Sequence, residues 1–235
     1  MGFPDAANNL EEDYMTRSFT RRLLSYVLGL FFLAMGVTFS IKSNLGISPV
    51  NSIPYVLSIV TKINQGYLTI AVFCSYIALQ VLILRKDFRP VNYFQIVFSF
   101  LFGYFVAFSN ALFTFPAPGA YVVRLILLGM SILLISLGLF FYLSAHLVPL
   151  PAEGAILALS GRFNIEMHRM KVLFDSSAVA IAALISFIAM RQIIGIREGT
   201  VISAFVIGKV LGVLIIRIQK PMLRFLNAKA PEEET

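Results

Sequence analysis

Long apolar runs, separated by short polar segments, follow one another along most of the chain. A window of about 19 residues, the length of helix that crosses roughly 30 Å of hydrocarbon, finds six of them. They occupy 23–41, 67–84, 96–115, 125–145, 176–190 and 199–216, with Lys209 as the only charged residue inside them. The pattern predicts an all-α integral membrane protein with six transmembrane helices in a lipid bilayer.

Two shorter apolar segments, 48–60 and 151–161, interrupt this pattern. As helices they would be only about 20 Å and about 16 Å long at 1.5 Å per residue, too short to cross the hydrocarbon. Each follows an irregular stretch, at 42–47 or at 144–150. Irregular backbone is tolerated at membrane depth only where it is buried in protein or lines a watery cavity. We therefore expect both segments to be broken or re-entrant half-helices beside a site.

The order of segments repeats, since each half of the chain reads long, short, long, long. A shift of 102 positions pairs Gly36 with Gly138, Phe39 with Phe141, Leu45 with Leu147, Pro49 with Pro151, Ser58 with Ser160, Ile63 with Ile165 and Ser75 with Ser177, and a shift of 105 pairs Phe100 with Phe205 and Gly103 with Gly208. We predict two structural repeats at 17–115 and 116–226, each with three transmembrane helices and one half-helix. A disordered cytoplasmic tail at 1–16 and an acidic tail at 227–235 flank them.

Two topologies fit this organisation. If the short segments are re-entrant, there are six spans and the two repeats are inverted relative to one another. If each irregular stretch and its half-helix cross together, there are eight passages and the repeats are parallel. Lys and Arg number 13 on the N-terminal side and 5 on the other side in the first case, and the positive-inside rule favours that case. Both topologies place the two termini in the cytoplasm.

Composition and charge narrow the class of protein. Hydrophobic residues make up 58% of the chain and charged residues 13%, against roughly 45–50% and 25% in soluble domains. The net charge of +7 does not indicate nucleic-acid binding, because the basic residues lie at the ends of apolar runs rather than in one patch with aromatics. The single Cys74 excludes a disulfide framework. With no enzyme motif and no metal-ligand spacing, we expect no enzyme, no cofactor and no metal.

The starts of the two half-helices are the main candidates for a site. Ser48 is a good N-cap, and Pro49 suits the first helical position, as Pro151 does in the second half. Gly46 and Gly154 lie at the hinges. Each helix start would present unpaired N–H groups and the positive end of a helix dipole near the midplane, where an anion could bind. Paired short segments of this kind indicate a transporter's binding site; the alternative is that they only cap and pack.

Asn51 and Glu153 occupy the same repeat position, two residues after the shared proline. Glu153 can cap its own helix at the third position. It can also bind a substrate or a coupling ion opposite Asn51, because an ionisable group at membrane depth costs at least about 2.5 kcal/mol and is a functional hypothesis by default. The two roles are compatible.

Lys209 lies about ten residues from either end of its run, too deep to extend easily to the interface. It should need an acidic partner, and Glu153 and Asp175 are available. Asp175 also lies four residues after Lys171, so a simple ion pair within one helix is its alternative role. In the irregular stretches, Asn44 corresponds to His146, and each is either a pore-lining polar group or a satisfied loop residue.

Several of these motifs resemble the YczE/YyaS/YitT family of small bacterial integral membrane proteins. The family's L-G-x-S-P-x-D stretch is similar to the segment 45–51, with Asn51 where an acid is common. The segments 151–154, 160–162 and 195–208, and the acid at Asp175, are also similar to the family's patterns. The resemblance covers nearly the whole chain and implies a multi-pass protein of the bacterial inner membrane, of a family often labelled as membrane proteins or transporters.

Together these features predict a membrane transporter that passes a small polar solute, expected to be anionic, through a midplane site. The site would be formed by Ser48, Asn51, Glu153 and Lys209, with Glu153 or Asp175 coupling transport to an ion such as the proton. The alternative is a non-transporting accessory or regulatory protein that docks a partner, or a second copy in an oligomer, through small-residue helix faces such as Gly208 and Gly212. A polar cavity between the half-helix starts would favour transport, and a dry interior would favour docking.

Overall fold

The computed structural model describes the backbone of residues 3–226 and the side chains of residues 18–226. This part of the chain is helical, without a strand, and has two short 3-10 helices between α3 and α4. The α-helices are α1 (Phe3–Ser43), α2 (Pro49–Thr61), α3 (Gln65–Leu84), α4 (Phe94–Leu112), α5 (Tyr121–Ser144), α6 (Pro151–Phe163), α7 (Met167–Met190) and α8 (Glu198–Leu226).

Six of these helices are long and apolar enough to cross a membrane, which confirms the six predicted spans. The spans are Ser18–Ser43, Gln65–Asp87, Pro90–Leu112, Tyr121–Ser144, Met167–Met190 and Glu198–Leu226. The two predicted short segments are α2 and α6, each 13 residues long. Each begins with a proline at its first turn, where the missing N–H costs no intrahelical bond.

The helix α1 begins at Phe3, before the predicted start of the first repeat at residue 17. The disorder expected of the N-terminal tail stays a prediction. Residues 1–2 and the predicted acidic tail at 227–235 lie outside the described residues.

The helices α1 and α5 form the antiparallel centre of the bundle. At one end, the Arg22 Nε donates to the Ala145 carbonyl at 2.7 Å, and the Ser25 hydroxyl donates to the Phe141 carbonyl at 2.9 Å. Further along, the Ser131 hydroxyl donates to the Gly36 carbonyl at 2.7 Å. The apolar face of α1 that includes Tyr26, Leu30, Ala34 and Val37 is buried, so the core of the protein lies along this pair.

The remaining helices surround this pair. The helix α4 packs on α1 and α3, and α8 packs on α5. The helix α2 packs mainly on α7, whereas α6 packs mainly on α3. Each short helix is therefore held chiefly by a long helix of the other half of the chain.

The two ends of the bundle can be told apart by long-range hydrogen bonds. At the N-terminal end, the Ser18 hydroxyl donates to the Leu226 carbonyl at 3.1 Å. At the distal end, Asn110 bonds both Thr38, at 2.9 Å, and Gln65, at 3.2 Å. The last turns of α1 and the first turn of α3 thus lie at the same end of the bundle, although α2 lies between them in the chain.

Six non-glycine residues have a positive φ angle in the described part of the chain. They are Asn44 (50°), Lys62 (64°), Arg85 (48°), His146 (46°), Asn164 (52°) and Arg191 (55°). Each directly follows the end of a helix: α1, α2 and α3 in the first half, and, after one further residue in the case of His146, α5, α6 and α7 in the second. The left-handed conformation ends a helix by turning the chain away from its axis.

Candidate functional site

A cavity of about 200 Å³ lies where the starts of α2 and α6 meet the long helices, and all eight α-helices line it. Its polar lining comprises Ser48, Asn51, Glu153, Lys171, Asp175 and Ser203. Its apolar lining includes Leu33, Val37, Phe73, Phe102, Ile135 and Leu139. The structure therefore brings four of the predicted site residues, Ser48, Asn51, Glu153 and Asp175, to one cavity.

The start of α2 contributes Ser48 and Asn51. Ser48 is at the N-cap position as expected, but its hydroxyl makes no capping bond to the helix. Instead it accepts from the Asn51 Nδ2 at 2.9 Å. Asn51 is only 8% exposed, and its Oδ1 has no hydrogen-bond partner. The Ser48 hydroxyl that was expected to cap the helix thus bonds Asn51 instead, and the acceptor oxygen of Asn51 remains free.

The start of α6 is fixed by partners from α3 and α5. The backbone N–H of Leu150 donates to the Tyr142 hydroxyl at 2.6 Å, and the Gln80 Nε2 donates to the Pro151 carbonyl at 3.1 Å. A Cβ atom on Gly154 would lie 2.6 Å from the Gln80 Oε1, so a larger residue there would displace the Gln80 amide from its present position. These contacts set the position of Glu153, which lies between Pro151 and Gly154 in sequence.

Glu153 combines the two roles that the sequence left open. Its carboxylate lies in the first turn of α6, where a negative charge stabilises the start of a helix. Its Oε2 has no partner and almost no exposed surface. Lys171 and Asp175 are close enough to interact with it electrostatically. The carboxylate of Glu153 therefore supports the helix start, and its Oε2 is available to a ligand.

Asp175 and Lys171 form the ion pair that their spacing predicted as one alternative. The Lys171 Nζ lies 3.2 Å from the Asp175 Oδ2, and their side chains are 49% and 20% exposed. The other carboxylate oxygen of Asp175, Oδ1, is buried without a partner, as is the nearby hydroxyl of Tyr76. The pair thus leaves Asp175 with one buried acceptor that has no hydrogen-bond partner.

Lys209 is not part of this cavity, contrary to the prediction. It is exposed, whereas Ser203 on the same helix is buried and lines the cavity. Lys209 follows Ser203 by six positions, so the two side chains point about 120° apart around the axis of α8. Lys171 is the basic residue that faces Glu153 and Asp175. Its i,i+4 spacing to Asp175 was the signal for it in the sequence.

Asn44 and His146 also lie outside the cavity and are corrected as pore-lining candidates. Both are exposed residues in the loops after α1 and α5. The Asn44 carbonyl accepts from the Arg197 Nη1 at 3.0 Å at the distal end, and the His146 carbonyl accepts from Arg22 at the N-terminal end. Burial and, to a smaller extent, the charge of Arg22 lower the pKa of His146. Both residues turn the chain after a long helix rather than bind a solute.

Gly46 serves as a hinge, as predicted, but its neighbour is α8 rather than the cavity. Its φ angle is 127°, and a Cβ atom there would lie 2.7 Å from the Thr200 backbone nitrogen. Only glycine combines that angle with so close a backbone contact. Gly46 thus joins the loop before α2 to the first turn of α8.

Sequence reasoning did not identify the aromatic wall of the cavity. Phe73 on α3 and Phe102 on α4 are stacked, with ring centroids 5.6 Å apart and planes inclined by 8°. Both are almost completely buried. Since the chain contains 22 phenylalanines, no local signal distinguishes these two.

Residues 20–215 match the model of DUF6198, which is described as a family of unknown function. No curated protein and no solved structure matches the chain. The resemblance to the YczE/YyaS/YitT family therefore stays a prediction.

Proposed function

Because the chain belongs to the DUF6198 family, whose function is unknown, we propose a function from the geometry of the cavity. The protein is a membrane transporter that passes a small polar solute between the starts of α2 and α6. The observation that carries this proposal is the set of unpartnered buried oxygens on Asn51, Glu153 and Asp175, all of them on residues that line one cavity. Buried polar atoms are nearly always paired, so three such atoms around one space favour an exchangeable ligand.

The proposal includes two structural repeats. In its support, α2 and α6 have the same length and begin 102 positions apart. The positive φ angles of the two halves also correspond: Asn44 and His146 are 102 positions apart, as are Lys62 and Asn164, and Arg85 and Arg191 are 106 apart. These backbone turns do not depend on apolar composition, which made the sequence matches weak by themselves.

The contacts between α1 and α5 support an inverted relation between the repeats. A Cβ atom on Gly36 would lie 2.9 Å from the Ile135 nitrogen, and one on Gly138 would lie 2.6 Å from the Leu33 nitrogen. Gly36 and Gly138 are 102 positions apart, as are Leu33 and Ile135. Each of the two contacts is therefore the repeat equivalent of the other. Equivalent helices that run antiparallel are related by an axis perpendicular to them, which lies in the membrane plane.

An inverted relation makes α2 and α6 re-entrant from opposite sides of the membrane, with six spans rather than eight. The irregular stretch before each short helix then enters the bilayer from one surface, and the helix returns to that surface. This arrangement places both helix starts near the midplane, where the inverted repeats of many transporters hold their solute. The termini lie on the cytoplasmic side in this topology, as the distribution of Lys and Arg favours.

The charges around the cavity bear on the solute. With Lys209 outside, the titratable lining comprises two acids, Glu153 and Asp175, and one base, Lys171. The base is already paired with Asp175, and the buried lining atoms that lack a partner are acceptors. A solute that donates hydrogen bonds fits this lining better than the anion that the sequence suggested. Glu153 is the group best placed to exchange a proton or a cation with the solute.

Transport is tested with the purified full-length chain in proteoliposomes. We expect uptake of at least one solute from a panel of small amines, amino acids and organic acids, and we expect Glu153→Gln to reduce it by about tenfold or more, because the exchangeable oxygen loses its charge. Glu166→Gln is the matched control, since Glu166 is an exposed acid paired with Arg169 at 3.0 Å. Equal uptake by wild type and Glu153→Gln, or no uptake of any solute, contradicts the proposal.

Access of water to the cavity can be measured without knowing the solute. In a Cys74→Ala background, a cysteine in place of Ser48 should react with a membrane-impermeant thiol reagent, because Ser48 lines the cavity and is partly exposed. Phe205→Cys is the control, since Phe205 is 70% exposed on the outer face of α8 and would meet lipid. No reaction at position 48 would indicate a closed, dry interior.

One observation favours the alternative function, docking of a partner. A Cβ atom on Gly208 or Gly212 would contact nothing within 4 Å, so this small-residue face of α8 is open to a second helix. Gly199 and Ser203, two further small residues of α8, are buried. If the cysteine at position 48 does not react and Gly212→Cys gives a specific crosslink to a partner, docking is favoured over transport.

A further inference from the structure

The buried polar atoms of the cavity lining that lack a hydrogen-bond partner are all acceptors. They are the Asn51 Oδ1, the Glu153 Oε2 and the Asp175 Oδ1. The one ammonium group among the lining residues, on Lys171, is 3.2 Å from the opposite oxygen of Asp175. With both acids ionised, two negative charges face one positive charge. A ligand with a single positive charge and several N–H donors would neutralise this cluster and pair its oxygens.

The rest of the lining is apolar and cannot form hydrogen bonds with a ligand that is polar throughout. Leu33, Val37, Ile135 and Leu139 form part of it, beside the stacked rings of Phe73 and Phe102. An aromatic face attracts a cation and also packs against an apolar body. At about 200 Å³, the cavity is smaller than the roughly 300–1,000 Å³ of pockets that hold drug-sized ligands. The lining therefore fits a small ligand with one charged end and one apolar end.

The exposed residues of the cavity lining all lie on α7 and α8, so the opening of the cavity lies between these two helices. These two helices make hardly any contact with each other, although both line the cavity. Ala204 and Gly208 of α8 line it and are at the same time exposed on the outside of the bundle. Lys171 on the facing helix is half exposed. Since both helices are membrane spans by length and composition, this opening leads to the bilayer, where an amphipathic ligand partitions.

We propose that the cavity binds small primary amines with an apolar, preferably aromatic, body, which reach it from the bilayer between α7 and α8. The ammonium group lies against the Glu153 Oε2 and the Asp175 Oδ1, and the apolar body lies along Phe73 and Phe102. This proposal rests on the proposed function because both use the same cavity. It does not depend on transport, since a ligand can bind without being transported.

The test uses the full-length chain in lipid nanodiscs and three probes of matched size: 2-phenylethylamine, 2-phenylethanol and 3-phenylpropionate. A ligand that binds the folded state raises the unfolding temperature by mass action. We expect the amine to give the largest rise, the alcohol a smaller one and the carboxylate none. A carboxylate that stabilises the protein as much as the amine overturns the proposal.

Variants distinguish the cavity from unspecific partition of an amine into the bilayer. Glu153→Gln should weaken 2-phenylethylamine binding by about tenfold or more, whereas Glu166→Gln should keep it within about twofold. If Glu153→Gln fails to fold, Asp175→Asn serves in its place, because the Asp175 side chain is 20% exposed. It should give a similar loss of binding. Unchanged amine binding in the variant that folds overturns the proposal.

Failure of this inference and failure of transport can be told apart. If the amine binds in a Glu153-dependent manner but does not cross proteoliposomes, the ligand class holds and transport fails. If another solute crosses in a Glu153-dependent manner and none of the three probes binds, transport holds and the ligand class is wrong.

Discussion

The last two helices of each half are packed in different ways. The helices α3 and α4 are in close contact: the Gln80 and Gln95 amides bond each other at 2.9 and 3.1 Å, and a Cβ atom on Gly103 would lie 2.7 Å from the Gly66 carbonyl oxygen. The corresponding helices α7 and α8 hardly touch. One half of the bundle is therefore closed at its outer pair, and the other is open.

The difference lies in a few side chains. At the repeat positions of Gln80 and Gln95 the second half has Ala182 and Thr200, and at the position of Gly66 it has His168. Alanine and threonine cannot form the paired amides, and histidine prevents the close backbone approach that two glycines allow.

A duplicated chain can thus keep the same helices and still form a cavity with one opening. Helix lengths follow from the apolar runs, which both halves share, whereas closure of a helix pair depends on contacts at a small number of positions. The comparison can be tested at matched positions of the two halves.

The largest difference in stability between matched positions is expected for Gly103 and its repeat counterpart Gly208. Gly103→Leu should lower the free energy of unfolding by about 3 kcal/mol, because the new side chain meets the backbone of Gly66 and the side chain of Ile70 and overpacking of this kind is costly. Gly208→Leu should change it by less than about 0.5 kcal/mol, because nothing lies within 4 Å of its Cβ position. Denaturant titration in detergent micelles measures both, and equal losses would contradict the open arrangement of α7 and α8.

A smaller effect is expected from the amide pair. Gln80→Leu should cost about 1–3 kcal/mol, because it leaves the amide of Gln95 and the carbonyl of Pro151 without their partner in a buried site. The double variant Gln80→Leu, Gln95→Leu should recover part of this loss, since the unpaired amide is removed as well. The same titration compares the two, and a strictly additive loss would show that the amides do not act as a pair.

The smallest effect is expected at the corresponding turns after α1 and α5. His146→Gly should stabilise the protein by about 0.5 kcal/mol, because a histidine pays for the positive φ of 46° and glycine does not. Asn44→Gly should be close to neutral, since asparagine adopts this conformation readily. A gain of the same size at both positions would mean that the benefit does not come from the backbone angle.

His146 also provides a pH-dependent readout of the same turn. Burial, and then Arg22, lower its pKa in the folded protein, so the unfolded chain takes up the proton more readily. The contribution of His146 to stability is therefore complete above its unfolded pKa of about 6.5 and decreases as the pH falls below that value. The unfolding temperature of wild type should fall more between pH 7 and pH 5 than that of His146→Gly, and parallel curves would contradict the pKa direction.

The sequence alone determined the six spans and the two short helices. The structure begins α2 at Pro49 and α6 at Pro151, within one residue of the predicted starts, because apolar run length and a proline at the first turn are local properties. The repeat pattern also predicted that Ser48, Asn51 and Glu153 lie at one site, and all three line one cavity.

Which side of each helix faces the cavity follows from the packing of the helices against one another. Lys209 points away from it and Lys171 towards it, and Asn44 and His146 turn the chain at opposite ends of the bundle. In a soluble helix the apolar stripe reveals the buried face, but a helix in lipid is apolar on the side that faces lipid and on the side that faces protein. The rotation of each span about its axis is therefore fixed by contacts with other helices and leaves little trace in the sequence.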